Sequence, residues 1–175
     1  MTARMDQLIS ALRSAAGNED ARAQVKAVLQ AAVSDPEAFA ATVPAYAEDD
    51  VVLFEDATVS IWHCRFQPGK TVPPHDHAML ATIAVYRGAE RNDFYERGPD
   101  GGLRKSSEVR LGAGDVFQIG PSAIHAVGCD SDEPCCGIHV YLGELTTVAR
   151  SLFDLENGEA VPFTEENYYK MVADD

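Results

Sequence analysis

The spacing of apolar residues along this chain changes near residue 49. Before it, Leu8, Ile9 and Leu12 share one stripe of a helix predicted over 5–16. After Gly17 and Asn18 a second helical pattern runs from about Asp20 to Val33, with Val25, Val28, Leu29 and Ala32 on its apolar face. Ser34-Asp35 interrupts that pattern, and Pro36 is placed to open a short third helix. From about Asp49 short β-rich runs follow at 50–54, 58–66, 79–86, 91–96, 103–110, 115–119, 123–128 and 135–142. Turn clusters such as Pro68-Gly69, Gly98-Pro99-Asp100-Gly101-Gly102 and Gly112-Ala113-Gly114-Asp115 separate them. Short strands at this spacing predict an all-β sandwich or barrel. After Leu145 the chain reads as helical and irregular. The expectation is a mainly β protein: a helical N-terminal appendage over 1–45 and a β domain over 46–175.

A chain of 175 residues suits one core without disulfide staples. Its net charge of −14 argues against nucleic acid and anionic membrane as partners, because the long-range field repels phosphate. A small anionic substrate stays open, since one buried arginine can dominate locally. Residues 1–20 carry Arg4, Asp6, Arg13, Glu19 and Asp20 and have no apolar stretch of export-signal length. No apolar run approaches the ~20 residues of a membrane span. Cys64, Cys129, Cys135 and Cys136 lack CxxC spacing, and two are adjacent, which reads as reduced thiols packed as small apolar groups. Together these features predict a cytoplasmic protein.

The chemistry starts at Pro73-Pro74-His75-Asp76-His77. On a strand, residues two apart face the same way, so the two imidazoles point together and Asp76 points away. Such a pair can chelate one divalent metal, although alone it also fits a solvated edge. Gly69 lies five intervening residues before His75, and Ala81 and Gly88 follow His77 at regular spacing. Farther on, Gly114 and Gly120-Pro121-Ser122 lead to His125. These paired motifs resemble those of the cupin superfamily, whose double-stranded β-helix (jelly-roll) barrel holds a metal through two histidines, an optional glutamate and a later histidine. The resemblance implies His75, His77 and His125 as metal ligands. Ala81 stands where many cupins place the glutamate. Gly120, Ser122 and Cys129 also depart from the usual pattern of the second motif.

Three neutral histidines leave a divalent ion at about +2, suited to a ligand that brings its own negative charge, such as a thiolate. Redox-active Fe²⁺ fits such an open site better than structural Zn²⁺, which four protein ligands would close. Within the superfamily, the run His75–Glu90, with its Arg87-Gly88-Ala89-Glu90 ending, and Ile138-His139-Val140-Tyr141 resemble the thiol dioxygenases, the family of cysteine and 3-mercaptopropionate dioxygenases. That resemblance covers about residues 50–150. It implies Fe²⁺ as cofactor, a small thiol and O₂ as reactants, and a Ser-His-Tyr triad beside the iron. His139 and Tyr141 occupy the matching positions as catalytic residues, with a tyrosine hydroxyl able to donate to dioxygen or substrate. Gly137 replaces the serine, so the expectation is either a less fixed His139 or one oriented by a water or Cys135. Ala81 takes the position of the cysteine that forms a thioether with the tyrosine in mammalian-type members, so no crosslink is expected.

Alternation over 58–66 puts Trp62, Cys64 and Phe66 toward the pocket, with Cys64 and Phe66 as substrate-binding candidates, and turns His63 and Arg65 outward. The bacterial mercaptopropionate type anchors the substrate carboxylate with an arginine shortly after the last-strand tyrosine, and Arg150 falls on that position. The favoured substrate is a thiol carboxylic acid resembling 3-mercaptopropionate or cysteine, oxidised to its sulfinate. Two alternatives share the fold: a three-histidine oxygenase cleaving a C–C bond of a diketone-like substrate, and a non-catalytic small-molecule-binding cupin.

Overall fold

In the computed structural model, which describes residues 2–174, three helices precede a β-barrel. They are α1 (Ala3–Ala16), α2 (Ala21–Ala32) and α3 (Pro36–Ala40). Thr2 caps α1 by accepting from the Met5 amide. Asp35 caps α3 at the Ala38 amide with Pro36 in the first turn, where its missing N–H costs nothing. The strands are β1 (Asp50–Glu55), β2 (Ser60–Phe66), β3 (Lys70–His75), β4 (Ala81–Arg87), β5 (Ala89–Arg97), β6 (Leu103–Gly112), β7 (Val116–Ile119), β8 (Ile124–Cys129) and β9 (Cys135–Tyr141). Two short strands, β10 (Ser151–Phe153) and β11 (Ala160–Pro162), then helix α4 (Glu165–Met171), complete the elements that bear on the site. Among the described residues no helix is long and apolar enough to cross a membrane.

All the strand pairs are antiparallel. One sheet runs β1-β2-β9-β4-β7 and the other β11-β10-β3-β8-β5-β6. With β2 to β9 taken as the eight barrel strands, the first pairs the eighth, which pairs the third, which pairs the sixth. The second, seventh, fourth and fifth form the facing sheet. That order is a jelly roll, the double-stranded β-helix of cupins. It puts the inward faces of β3, β5 and β8 opposite those of β2, β4 and β9.

The first sheet is buried on both sides. Met5, Leu12, Leu29 and Phe39 from the helices share an apolar cluster with Ile61, Ala84, Ile138 and Val140 from the outer face of β2, β4 and β9. Each of the larger side chains contributes about 1.5–3 kcal/mol when fully buried, so the helices and the sheet stabilise each other. Arg13 lies over the Phe54 ring at 4.1 Å and Gln118 donates to the Arg22 carbonyl, tying α1 and α2 to β1 and β7.

Three expectations change here. Residues 70–75 form β3, which the sequence pattern does not mark because Pro73 and Pro74 cannot donate to a ladder. The pairing of β3 with β8 is irregular between Val72 and His75 for that reason. The stretch after Leu145 contains two three-residue strands besides a helix. His63 points away from the barrel interior but is buried, because the helices and the segment carrying Tyr46 cover that face. Its Nε2 lies 2.8 Å from the Tyr86 hydroxyl and its ring 4.8 Å from that of Tyr46.

Burial, aided by the nearby Arg65 charge, pushes the His63 pKa down to about 4 from 6.5. The folded state therefore favours the neutral ring. The stability this contributes is complete above the unfolded pKa near 6.5 and is lost as pH falls through about 4. The span corresponds to roughly 3 kcal/mol. His63→Phe keeps a ring between Tyr46 and Tyr86 but cannot titrate. Urea unfolding in chelator at pH 7 and pH 4 should show the wild type losing about 3 kcal/mol more than the variant. Equal losses would mean that the ring gains access to solvent on protonation.

Candidate metal centre

His75 ends β3 and His125 lies on β8, directly opposite it in the register. Their rings are 4.5 Å apart between centroids. His77 is not on a strand: β3 stops at His75, and the chain turns through Ala78 at φ 54°. The two-residue logic nevertheless carries one residue past the strand, because Asp76 holds the chain extended. Its amide donates to the Ser151 carbonyl and its Oδ1 accepts from the Ser151 amide, so the carboxylate faces β10 and His77 turns inward.

The three imidazoles converge through Nε2. His77 Nε2 lies 3.2 Å from that of His75 and 3.4 Å from that of His125. An ion about 2.0–2.2 Å from each nitrogen, at facial or tetrahedral angles, requires separations of about 2.8–3.6 Å. The donor set fits a divalent metal. The other ring nitrogens support it: His75 Nδ1 meets the Pro73 carbonyl at 2.8 Å and His125 Nδ1 meets Asn92 Oδ1 at 2.9 Å, which fixes both rings with Nε2 inward. His77 Nδ1 is buried and has no hydrogen-bond partner among the described residues. Its ring is held instead by edge contacts with His75, His125 and Tyr141.

Burial lowers all three histidine pKa values, that of His75 to about 4. The rings are therefore neutral at pH 7, with lone pairs available for a metal. Among the described residues no carboxylate belongs to the cluster. Ala81, at the position of the usual cupin glutamate, lies beside Tyr141 in the β4–β9 register.

These nitrogens open onto a cavity of about 500 Å³. Trp62, Cys64 and Phe66 of β2 line it, together with His139, Tyr141, Arg150 and Phe163. Burial raises the Cys64 thiol pKa, so Cys64 stands in the wall as a neutral group. The Arg150 guanidinium stacks on Phe163 at 3.6 Å, and among the described residues it forms no ion pair. Phe163 in turn packs edge-on against His75, joining the arginine to the metal centre through one ring. Asp50 is a cavity residue that sequence reasoning missed; its backbone lies at the exposed rim, while burial of its carboxyl raises its pKa. Only its place at the start of β1 could have suggested it.

On β9, Gly137, His139 and Tyr141 face inward. The Tyr141 hydroxyl lies 3.5 Å from His139 Nδ1, at the long limit of a hydrogen bond, and burial raises its pKa, so the phenol is protonated at neutral pH. A carboxylate stands at His139: Glu90 Oε2 lies 3.2 Å from His139 Nε2. Glu90 sits on β5 in the facing sheet and is fully buried. Gly88, at φ 69°, makes the tight β4–β5 turn that sets it there; a Cβ at Gly88 would stand 2.9 Å from the Cys135 backbone. Gly137 leaves room for the contact, since a Cβ there would stand 3.1 Å from both His139 Nε2 and the Ala84 carbonyl.

No family model matches the chain. Among solved structures it is similar to a cupin superfamily protein from Desulfitobacterium hafniense DCB-2, at 16% identity and TM-score 0.46, over 60% of this chain and 87% of that one. It is also similar to an uncharacterized conserved protein with a double-stranded beta-helix domain from Klebsiella pneumoniae subsp. pneumoniae MGH 78578, at 19% identity and TM-score 0.46, over 64% and 90%. A third likeness is to the DMSP lyase DddQ from Ruegeria pomeroyi DSS-3, at 18% identity and TM-score 0.44. It covers 55% of this chain and 44% of that one, so the chain spans less than half of that lyase.

Proposed function

We propose that this chain is a non-haem Fe²⁺ thiol dioxygenase that converts a small thiol carboxylic acid and O₂ into the sulfinate. Both oxygen atoms go to sulfur, which is oxidised by four electrons, and no other reductant is consumed. The observation that carries this reading is a centre of three neutral imidazoles without a carboxylate, opening on a cavity that contains Arg150. Fe²⁺ held by His75, His77 and His125 would supply undiminished +2 charge, which favours thiolate over thiol, and the redox capacity to activate dioxygen.

The chain's own residues do the rest. Arg150 offers a planar fork to a carboxylate and so sets which end of the substrate faces the histidines. Trp62, Phe66 and Phe163 keep the surroundings apolar, which strengthens that ion pair by excluding water. Tyr141 holds a phenol hydroxyl at the cavity, positioned by His139. The four cysteines are free, and we assign the protein to a reducing, cytoplasmic compartment on that basis.

The direct test is an oxygen-electrode screen of iron-loaded protein against 3-mercaptopropionate, cysteine, cysteamine, mercaptosuccinate and a β-diketone. Uptake with a thiol carboxylate, matched by sulfinate in the product mass spectrum, supports the reading. Uptake with the diketone alone would transfer the site to C–C cleavage, and no uptake with any substrate would point to a binding protein.

Tyr141→Phe should lower turnover about 10- to 100-fold, as for a positioned hydrogen-bonding group beside the chemistry. Iron content should not change, because phenylalanine keeps the ring that packs on His77. Unchanged turnover would reduce Tyr141 to a packing role.

A further inference from the structure

From the ligand His125, four further buried side chains form one hydrogen-bonded path that leaves the metal centre and returns to the cavity. It runs from His125 Nδ1 to Asn92 Oδ1 at 2.9 Å, and from Asn92 Nδ2 to Glu90 Oε1 at 2.9 Å. It continues from Glu90 Oε2 to His139 Nε2 at 3.2 Å and from His139 Nδ1 to the Tyr141 hydroxyl at 3.5 Å. Glu90 and Asn92 lie two residues apart on β5 and face the interior together, both with 0% exposure. No solvent can substitute for a missing partner there, so every donor must meet an acceptor.

One condition at the metal end fixes the direction of every bond. A His125 that gives Nε2 to an ion carries its ring proton on Nδ1 and donates it to Asn92 Oδ1. The Asn92 amide nitrogen then faces Glu90 and donates. A carboxylate only accepts, so the His139 nitrogen facing it must carry a proton. Glu90 is the point on which donors from both sides converge.

We propose that Glu90 is a positioning residue with two arms: its carboxylate holds the proton on His139 Nε2, which leaves Nδ1 toward Tyr141, and through Asn92 it holds His125 in the metal-binding tautomer. It thereby couples a ligand on one sheet to the tyrosine on the other. The role needs the metal centre but not the thiol chemistry proposed above, and it does not depend on which substrate the cavity takes.

The test uses zinc-loaded, ¹⁵N-labelled protein, in which two-bond ¹H–¹⁵N correlations report which ring nitrogen of each histidine is protonated. The wild type should show a proton on His139 Nε2 and on His125 Nδ1. In Glu90→Gln the amide oxygen must accept from Asn92, so the amide nitrogen faces His139 Nε2. Two donors cannot share that contact, and the His139 proton should move to Nδ1. His75, bonded to the Pro73 carbonyl, should not change and serves as the internal control. A wild-type His139 without a proton on Nε2, or a proton that stays on Nε2 in Glu90→Gln, would overturn the first arm. The wild-type spectrum decides it even if the variant does not fold.

Asn92→Leu tests the second arm without turnover: its zinc affinity should fall about 10- to 100-fold, as for loss of a partner that orients a ligand. Unchanged affinity would overturn that arm. Zinc that leaves the wild-type His125 resonances unmoved would overturn the metal centre, and this inference with it.

Discussion

Alanine at any one of His75, His77 or His125 should take iron content from stoichiometric to near zero and abolish oxygen uptake with it. The size of the effect follows from the lack of any spare ligand. Two imidazoles remain in each variant, and among the described residues no carboxylate groups with them; Glu90 is committed to His139 and Asn92, and Asp76 to the Ser151 amide. An acid released from either arrangement would leave a buried donor unpaired, at about 1–3 kcal/mol, so rescue from within is disfavoured. His63→Phe is the matched control, because it removes a buried histidine on the outer face of the facing sheet and should leave iron untouched. Elemental analysis of protein purified and reconstituted under nitrogen reads the result directly. Full iron occupancy in any one of the three alanine variants would show that its histidine is not a ligand.

The same cluster shows what the sequence can and cannot reveal. His75, Asp76 and His77 are adjacent in the chain, so local spacing exposes them, even though His77 turned out to lie beyond the end of β3. His125 is far away in sequence, and only its motif marked it; the β3–β8 register is what makes it the neighbour of His75. Glu90 illustrates the opposite case. Its partner His139 is 49 residues away and on the other sheet, so no periodicity links them. The clue was negative: Gly137 lacks a hydroxyl, and something else had to orient His139.

The helices α1–α3 were legible from their stripes, but their consequence was not. Alternation gave the direction of His63 correctly and its environment wrongly, because outward means exposed only when nothing packs on the sheet. β3, β10 and β11 were hidden for a different reason. Two prolines interrupt the first, and three residues are too few to show a period in the others.

Arg150→Ala should raise the Michaelis constant for a thiol carboxylate at least 10-fold while leaving that for cysteamine nearly unchanged. A hydrogen bond to a charged group is worth about 1.5–3 kcal/mol, or roughly 10- to 150-fold in affinity. The charge balance sharpens the expectation. Three neutral histidines and a divalent ion give about +2, and Arg150 raises this to about +3 against a thiolate-carboxylate dianion. Asp50 offsets one of those charges and the buried Glu90 carboxylate behind His139 a second, leaving about +1, while the exposed Glu165 at the rim is screened by solvent. The cavity thus attracts an anion even though the chain as a whole carries −14. Cysteamine has no carboxylate for the fork to grip, and its ammonium is repelled by Arg150, so removal of the guanidinium costs it nothing. Because Arg150 also stacks on Phe163, alanine could act by loosening the wall that packs on His75. Arg150→Gln separates the two effects: it keeps a planar end group on the ring but loses the charge. Glutamine should follow alanine in its loss for 3-mercaptopropionate and keep wild-type iron content. If cysteamine and 3-mercaptopropionate suffer equally in both variants, Arg150 supports the cavity wall and does not read the substrate.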